Sequence, residues 1–274
     1  MLSYQHVYHA GNPADVHKHL ALVMLLRRLE RKEKPFSFID AHAGRGLYDL
    51  DSAEARKTRE AESGVLRLTL TGDAPEPVRD YLSVVAARNR QGPIRLYPGS
   101  AAIAQAMLRD DDCAILLELH AQEAAALRQF IASDSRFSLH VRDCYEGLPA
   151  LLPPPIRRGL VLIDPSYEMK AEYEDVVQLL GRAFRRWANG IYLLWYPLLP
   201  EARHRLLLRQ IETLAAPKTL ISEYSFSAGT TGLQGSGLVI VNSPWQFDKE
   251  LAATMQYVID MLGFGTHSVS RLRP

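Results

Sequence analysis

The stretch from Gly159 to Tyr167 constrains the fold of this chain most strongly. It reads Gly-Leu-Val-Leu-Ile-Asp-Pro-Ser-Tyr, so a run of large apolar residues meets an acid, a proline and an aromatic ring. The apolar run is too short for a helix and is typical of a buried strand in a parallel sheet. Pro165 has no N–H to donate to a neighbouring strand and ends the pairing. Asp164 and Tyr167 are therefore predicted in a loop at a strand's carboxyl end, where open α/β sheets bind their ligands.

This loop has the chemistry to bind a flat ring that bears an amine. The Asp164 carboxylate and the Pro165 carbonyl can accept hydrogen bonds from an exocyclic NH2 group, and the Tyr167 ring can stack on the base. The same residues also fit a strand that ends in a proline turn with a surface acid. Short motifs match by chance often enough that this stretch alone leaves both interpretations open.

Alternating strand and helix patterns along the chain predict an α/β fold, a doubly wound and mostly parallel sheet of seven strands with helices on both faces. The predicted strands cover residues 36–39, 114–118, 138–143, 159–164, 191–196, 219–226 and 237–242. The predicted helices cover residues 14–32, 100–109, 121–132, 172–187, 200–214 and 248–262. The last two strands are joined without a helix, which predicts an antiparallel hairpin.

Residues 48–94 interrupt this alternation. Residues 52–70 and 76–89 both have helical patterns, with turn residues between and after them. We interpret this segment as a small inserted helical subdomain. The main domain would then comprise residues 1–47 and 95–274.

Acids end or follow the first four predicted strands: Asp40, Glu118, Asp143 and Asp164. In a doubly wound sheet these strand ends face one crevice. An acid after the second strand can accept from both ribose hydroxyls of a nucleoside cofactor, and an acid after the third can accept from an adenine amine. Ordinary dinucleotide-binding folds place the ribose acid about 20 residues after the glycine turn. Assigning the ribose to Glu118 therefore depends on the inserted subdomain.

Composition excludes several classes of protein. The chain has 274 residues and a net charge of +1, which excludes a strongly basic, histone-like binder but not a local basic patch. Its two cysteines, Cys113 and Cys144, form no disulfide framework and no Cys-x-x-Cys metal site. The histidines match no zinc-binding pattern, so we expect no metal. We see neither a signal peptide nor a membrane-spanning run, and we expect a cytoplasmic protein that does not enter a membrane.

Several motifs together resemble a known family. The turn from Asp40 to Gly46 resembles motif I of class I S-adenosylmethionine-dependent methyltransferases, and Asp164-Pro-Ser-Tyr167 resembles the Asp-Pro-Pro-Tyr signature of amino-methyltransferases. Across nearly the whole chain the combination resembles the bacterial 23S rRNA (adenine-2030-N6)-methyltransferase family, the RlmJ type. The other segments that carry this resemblance are Leu2–His6, His9–Asn12, Ala14–His19, Tyr97–Ser100, Leu117–His120, Arg157–Leu160, Trp195–Pro197 and Asn242–Trp245.

The resemblance implies a Rossmann-like methyltransferase that acts, as a monomer, on 23S ribosomal RNA. It implies that Asp164 is the catalytic acid and that Pro165 and Tyr167 hold the target adenine. It places Tyr4, His6 and Lys18 on the substrate side, with the N-terminal segment closing over the site. The residues that it implies around S-adenosylmethionine are His19, His42, Ser100, Glu118, Asp143, Cys144 and Asp164.

Two features depart from the signature. Ser166 stands where the signature has its second proline, so the turn loses rigidity while the acid, the first proline and the aromatic ring remain. We expect activity to survive this change. The second feature is a near-copy of the signature, Asn242-Ser-Pro-Trp245, which also follows an apolar strand. We predict that this second copy is only a turn, because the first lies in the strand next to the cofactor half of the sheet.

Three other functions fit parts of the same pattern. A DNA adenine-N6 methyltransferase would use the same pocket on a different polymer. A non-catalytic nucleic-acid-binding protein involved in DNA uptake or use would tolerate Ser166. An NAD-dependent dehydrogenase shares the fold class but needs a fuller glycine motif than this chain carries. Fold alone does not choose among them.

Overall fold

The computed structural model describes residues 5–90, 92–227 and 232–272. Within these ranges the α-helices are α1 Pro13–Glu30, α2 Ala53–Thr58, α3 Glu76–Ala87, α4 Ser100–Met107, α5 Ala121–Ile131, α6 Cys144–Leu151, α7 Glu172–Arg186, α8 His204–Glu212 and α9 Phe247–Leu262. The strands are β1 Ser37–Asp40, β2 Leu47–Asp49, β3 Leu96–Pro98, β4 Cys113–Leu117, β5 Phe137–His140, β6 Gly159–Ile163, β7 Ile191–Leu198, β8 Leu220–Ser225, β9 Gly235–Val241 and β10 Thr266–Arg271.

One large sheet organises the molecule, in the order β10-β8-β9-β7-β6-β1-β4-β5. The five strands from β7 to β5 in that order are parallel to their neighbours, whereas β8, β9 and β10 pair antiparallel. The predicted α/β class, the parallel core and the hairpin of the last two predicted strands are confirmed. The sheet has eight strands rather than the predicted seven, because β10 adds an edge beside β8.

The chain order of the sheet reverses between β1 and β6. From β1 the chain builds outward through β4 and β5, then returns to lay β6 on the other side of β1. At such a switch point the loops after the two strands diverge and leave a crevice at their carboxyl ends. We call this side of the sheet the carboxyl edge and the opposite side the amino edge.

Burial on both faces of the sheet explains the continuous apolar run of strand β6. Leu160 and Leu162 of β6 pack into one core, on the face that carries α1, whereas Val161 and Ile163 pack into a second core on the other face. Because successive side chains of a strand point to opposite faces, a strand covered on both sides needs an apolar residue at every position. β6 is accordingly buried along its whole length.

Helix α1 is buried over most of its length, including polar residues that a surface helix would expose. Pro13 occupies its first turn, and the Asn12 side chain accepts a hydrogen bond from Asp15 N at 2.8 Å, so a typical cap begins the helix. The helix packs against α3, α4 and β9. This position brings residues of its first two turns to the carboxyl edge.

Two predicted elements differ from the structure. Residues 52–70 do not form one helix: α2 ends at Arg59, whose left-handed φ of 57° breaks it, and 3-10 turns follow at Glu60–Ser63 and Val65–Arg67. The third predicted strand ends at His140 rather than at residue 143, because Asp143 instead caps α6, a helix that the sequence did not predict. The division into a main domain and an inserted subdomain over residues 48–94 stays a prediction.

No helix within the described ranges is both long enough and apolar enough to cross a bilayer.

Candidate active site

The four predicted acids lie at the carboxyl edge of the parallel strands. Asp40 is the last residue of β1, Glu118 follows β4 and Asp164 follows β6. Asp143 lies beyond β5, where its side chain accepts from Tyr145 N at 2.8 Å and caps α6. The prediction that these acids share one edge is therefore confirmed by the strand topology.

Asp164 belongs to a chain of charged side chains that starts in α1. Lys18 Nζ lies 2.5 Å from Asp164 Oδ2 and 2.9 Å from Asp15 Oδ1. Asp15 Oδ2 in turn lies 2.9 Å from His6 Nε2 and accepts from Gly11 N at 2.9 Å. The chain therefore ties the loop before α1, the helix itself and the loop after β6 into one unit.

Neighbouring charges outweigh burial in deciding the charge state of this chain. Burial alone would lower the Lys18 pKa, but the carboxylates of Asp15 and Asp164 reverse that effect and raise the pKa above its ordinary value. Burial likewise acts to raise the pKa of Asp15, and the positive charges of His6 and Lys18 bring that pKa well below its usual range. Lys18 is therefore a fixed ammonium that lies between two carboxyl groups.

His42 joins three loops of the carboxyl edge. Its Nδ1 accepts a hydrogen bond from Asp164 N at 3.2 Å, and its Nε2 lies 3.2 Å from Cys144 Sγ. Because Nδ1 is an acceptor, the ring hydrogen lies on Nε2 and is donated to the sulfur. Burial lowers the pKa of His42 to about 4, so the ring is neutral. Burial and the Asp143 charge also raise the pKa of the Cys144 thiol, which is accordingly protonated and unreactive.

Asp40 is a fully buried carboxyl group with an unused acceptor. His42 N donates to its Oδ1 at 3.1 Å, whereas Oδ2 has no hydrogen-bond partner in the described part of the chain. Burial raises the Asp40 pKa to about 7, against the opposing effects of the Ser100 hydroxyl and the His42 N–H. Ser100, the first residue of α4, is thereby placed beside Asp40. A buried, unpaired oxygen of this kind indicates a missing donor.

Glu118 is held over the glycine turn after β1. Its Oε2 accepts from Gly44 N at 2.8 Å and its Oε1 accepts from His120 N at 2.7 Å. Gly44 has a left-handed φ of 61°, and a Cβ there would meet the Tyr48 hydroxyl at 2.3 Å, so only glycine fits. Burial raises the Glu118 pKa. The exposed side chains of Leu119 and Val141 lie beside this acid and beside Asp143 in sequence, which gives the edge apolar as well as acceptor surface.

Tyr167 is anchored by its hydroxyl rather than projecting freely. The hydroxyl donates to Trp195 O on β7 at 2.8 Å, and the ring packs against Tyr173 at 4.6 Å between centroids. Its φ of 54° is left-handed, a conformation that non-glycine residues adopt rarely and often at functional sites. Pro165 is buried beside it, so the backbone of this loop is fixed from both directions.

The structure brings four of the predicted site residues into direct contact with one another. Asp164 contacts Lys18 and His42, and His42 contacts Cys144. His6 reaches this group through Asp15. His19 is buried, with Nδ1 2.7 Å from the Tyr97 hydroxyl, and burial lowers its pKa to about 3. Tyr4 lies outside the described residues.

Two residues of this edge were not assigned a role from sequence. Asp15 lies one helical turn before Lys18, and that i,i+3 spacing of opposite charges was the available signal. Trp195 lies near the carboxyl end of β7, with Lys18 Nζ 5.8 Å from its ring centroid. The residue pattern of β7 gave no sign of this contact, because Lys18 and Trp195 lie far apart in sequence.

No group of His, Cys, Asp and Glu side chains within residues 5–90, 92–227 and 232–272 has the arrangement of a metal site.

Comparisons with known proteins agree with this geometry. The family model described as "Ribosomal RNA large subunit methyltransferase D, RlmJ" matches residues 33–271. The chain is 38% identical over 279 residues to ribosomal RNA large subunit methyltransferase J of Escherichia coli and 36% identical over 280 residues to the protein of that name from Haemophilus influenzae, with 100% of each chain covered. A crystal structure of a Legionella pneumophila protein, 32% identical, superposes with a TM-score of 0.89 and covers 96% of this chain and 98% of its own.

Proposed function

The chain belongs to the RlmJ family of ribosomal RNA large subunit methyltransferases, and from that premise we propose that it transfers a methyl group from S-adenosylmethionine to the exocyclic N6 of an adenine in 23S ribosomal RNA. We propose position 2030 as the target, on the strength of the family resemblance. The observation that carries the proposal is the Asp164-Pro-Ser-Tyr167 loop, which lies at the switch point of the sheet with its carboxylate paired to a buried ammonium. We also propose that the enzyme acts as a monomer in the cytoplasm and needs no metal.

The residues around β1 and β4 fit S-adenosylmethionine. Glu118 offers carboxylate oxygens to a ribose diol, and the unpaired Oδ2 of Asp40 awaits a donor. Asp143 is placed to accept from an adenine amine, and Leu119 and Val141 offer apolar surface to a flat ring. When bound, the cofactor supplies an electrophilic methyl group, so the protein needs only to present and align the nucleophile. His19, His42, Ser100 and Cys144 complete the proposed pocket.

The Asp164 loop would make the adenine amine nucleophilic. The amine's lone pair is delocalised into the ring, and hydrogen bonds from its two protons to Asp164 and the Pro165 carbonyl would draw the nitrogen toward tetrahedral geometry. Lys18 engages Asp164 Oδ2, and within the described ranges no donor engages Oδ1, which leaves an acceptor for the amine. Alignment in a near-attack pose contributes about 7–11 kcal/mol at best.

The substrate side is formed by the charge chain of α1. Lys18, His6 and, by family resemblance, Tyr4 would contact the nucleotide whose base enters the loop. Tyr167 would stack on that base while its hydroxyl stays bound to Trp195 O. An adenine within a duplex cannot reach this pocket, so the target must lie in a loop, at an end or flipped out of its stack.

Ser166 compensates in part for the proline that it replaces. Its hydroxyl donates to Glu172 Oε2 at 3.4 Å, and Met169 N donates to the same oxygen at 3.3 Å. Glu172 at the start of α7 therefore braces the loop by hydrogen bonds where the signature uses a second rigid ring. This bracing supports the proposal that activity survives the substitution.

The test is methyl transfer from labelled S-adenosylmethionine to protein-free, unmodified 23S rRNA, with adenine-matched DNA as a second acceptor and nucleosides identified by mass. The proposal predicts N6-methyladenosine in RNA only. Methylation of DNA but not RNA would favour the DNA methyltransferase instead. Methylation of another base, or no transfer to either polymer by protein that binds the cofactor, would contradict the proposal.

A further inference from the structure

A run of hydrogen bonds joins the edge strand β10 to the wall of the candidate active site. His267 Nε2 lies 2.7 Å from Ser222 Oγ, and Ser222 Oγ lies 2.8 Å from His17 Nε2. His17 Nδ1 lies 3.0 Å from Ser236 Oγ, which also accepts from Trp195 Nε1 at 3.0 Å. His17, Ser222 and Ser236 are wholly buried. We call these five residues the His17 relay.

The hydrogen bonds of the relay can all be formed in one direction, with Trp195 as the first donor. An indole N–H can only donate, so Ser236 Oγ accepts from Trp195. The arrangement in which the Ser236 proton goes to His17 Nδ1 lets each neighbouring pair of the run form a hydrogen bond. His17 then carries its hydrogen on Nε2 and donates to Ser222. Ser222 donates onward to His267, and every hydrogen bond of the run is made. Burial and the nearby His267 lower the His17 pKa well below its ordinary value, in keeping with a neutral ring.

The relay ends on the residue that holds two site residues. Trp195 O accepts the Tyr167 hydroxyl at 2.8 Å, and the Trp195 ring lies 5.8 Å from Lys18 Nζ. His17 and Lys18 are neighbours in α1, so one residue of the pair enters the relay while the next pairs with Asp164. Rotation of the indole would therefore disturb both its edge contact with the Tyr167 ring, at 5.9 Å between centroids, and the surroundings of the ammonium. The Tyr167 hydroxyl bonds to the backbone carbonyl of Trp195 and would keep that bond.

We propose that the His17 relay positions the active site, with His17, Ser222 and Ser236 acting through Trp195 on Tyr167 and Lys18. The proposal rests on the methyl transfer proposed above, because only that reaction gives Tyr167 and Lys18 their roles. Buried polar groups contribute little net stability compared with apolar groups of the same shape. A directional run of them fixes the orientation of the side chain at its end, and here that side chain forms part of the site.

The test combines a spectroscopic signal from Trp195 with steady-state kinetics. The chain has three tryptophans, so 5-fluorotryptophan labelling gives three 19F resonances, assigned with Trp187→Phe and Trp245→Phe. We expect Ser236→Ala to shift the Trp195 resonance and to lower kcat/KM for 23S rRNA about tenfold, since small misplacements of reacting groups are costly. Ser222→Ala should shift the same resonance less and lower kcat/KM by about threefold, because it acts only through His17. The affinity for S-adenosylmethionine should stay unchanged.

A matched control separates positioning from loss of a buried hydroxyl. Ser37 is equally buried, and its Oγ donates to Ile156 O at 3.0 Å at the start of β1, so Ser37→Ala removes the same group outside the relay. That variant should leave the Trp195 resonance and kcat/KM unchanged. His17→Gln, which keeps a donor and an acceptor, should retain more activity than His17→Leu.

Two results would overturn the relay. The first is a Trp195 resonance and a kcat/KM that are the same in Ser236→Ala, Ser222→Ala and Ser37→Ala. The second is equal activity of folded His17→Gln and His17→Leu. If both His17 variants fail to fold, the serine variants decide the question alone. If the proposed function is wrong, wild-type protein will form no N6-methyladenosine. If only the relay is wrong, the Trp195 resonance will not move in the serine variants.

Discussion

Two short sequences of similar composition follow apolar strands in this chain, yet they lie at opposite edges of the sheet. Asp164-Pro-Ser-Tyr167 follows β6 at the carboxyl edge. Asn242-Ser-Pro-Trp245 follows β9, which runs antiparallel to β7 with Val241 opposite Tyr192, so this second copy lies at the amino edge. The two copies differ in what their first residue does, and that difference separates a site from a turn.

At the amino edge the first two side chains of the turn are used for structure. The Asn242 amide donates to Ala188 O and Gly190 O at 2.7 Å each, and Ser243 Oγ donates to Lys218 O at 2.8 Å. Trp245 is 81% exposed and stacks on nothing in the described structure. The second copy therefore forms a turn at the amino edge, and its having no other role stays a prediction.

Elsewhere at the amino edge arginines pair with a buried carboxyl group and with backbone carbonyls, although the buried Trp187 Nε1 has no hydrogen-bond partner in the described part of the chain. Arg109 pairs with Asp112 at 2.9 Å and donates to the carbonyls of residues 32–34, and Arg158 donates to Leu29 O. Both guanidinium groups lie against the Phe36 ring, at 5.7 and 5.8 Å. The carboxyl edge keeps an unpaired carboxyl oxygen on Asp40, whereas left-handed residues occur at both edges, Tyr167 at this one and Asn242 and Lys218 at the other. What distinguishes the carboxyl edge is therefore a buried, unpaired carboxyl oxygen, which leaves a place for a ligand group.

The largest expected difference between the edges is in the pH dependence of stability. The Asp40 pKa is about 7 in the folded protein, above its unfolded value, so the folded state binds the proton more tightly. Stability from this residue is therefore present at low pH and is lost as pH rises from about 4 to 7, by at most about 4 kcal/mol. The measurement is urea unfolding of wild type and Asp40→Asn at several pH values. The free energy of unfolding of wild type should fall as pH rises, and that of the variant should not show this fall.

Asp112 at the amino edge is the matched carboxyl group for that experiment. Its burial is outweighed by hydrogen bonds from Arg109 and backbone N–H groups, which lower its pKa. Its contribution is complete above the unfolded pKa and is lost only as pH falls below that value. Asp112→Asn should therefore keep the wild-type slope between pH 4.5 and 8. Equal slopes for wild type and Asp40→Asn would show that Asp40 is not protonated in the folded state.

Removing the ammonium at the carboxyl edge should damage stability and activity together. Lys18→Met leaves the buried Asp15 and the partly exposed Asp164 without their shared partner, and we expect a loss of about 3 kcal/mol of unfolding free energy. The added variant Asp15→Asn should restore part of that stability but not the activity. Chemical denaturation checks this, with the exposed Lys249→Met as control. A stable and active Lys18→Met enzyme would contradict the role given to the charge chain.

At the amino edge, by contrast, a substitution should lower stability without lowering activity. Arg109→Met removes the partner of buried Asp112 and several carbonyl contacts, and we expect a loss of about 2 kcal/mol. Because these contacts lie far from the carboxyl edge, kcat per folded molecule should stay unchanged. Thermal unfolding and steady-state kinetics on the same samples make the comparison. A selective fall in kcat would mean that the two edges are coupled.

The smallest effect is expected at the second copy of the signature. Asn242→Gly keeps the left-handed backbone, with φ of 56° in wild type, and removes only the two amide hydrogen bonds. We expect a loss of about 1 kcal/mol and unchanged methyl transfer. The measurement is the denaturant midpoint alongside activity. A variant without activity but with native stability would return the second copy to the list of candidate sites.

Structural features set by local residue patterns could be predicted from the sequence, whereas features set by contacts between distant residues could not. β1, β4 and β6 were predictable because burial on both faces demands apolar residues at every position, and their acids followed from the strand ends. The edge strand β10 was not predicted, since its exposed residues, Thr266 to Arg271, carry no apolar run. The end of helix α2 at Arg59 depends on a left-handed φ, which the local preferences of arginine do not predict.

The candidate site shows the same limit. Asp164 was predicted from the end of its strand and Lys18 from the family resemblance, but their ion pair joins residues 146 positions apart. The link between His17 and Ser222 spans 205 positions and leaves no periodic trace in either segment. Residue types at strand ends therefore indicated the chemistry, whereas the contacts that orient those residues depend on packing and required the structure.

The most direct test of the central claim is methyl transfer by Asp164→Asn, compared with Asp111→Asn as an exposed carboxyl-to-amide control at the amino edge. Binding of S-adenosylmethionine is measured on the same samples by calorimetry. We predict that Asp164→Asn lowers kcat by about 10³-fold or more with cofactor affinity within a few-fold of wild type, since it removes an acceptor aligned on the amine. We predict that Asp111→Asn behaves as wild type. Near-normal turnover by folded Asp164→Asn would contradict the assignment of the active site to the carboxyl edge.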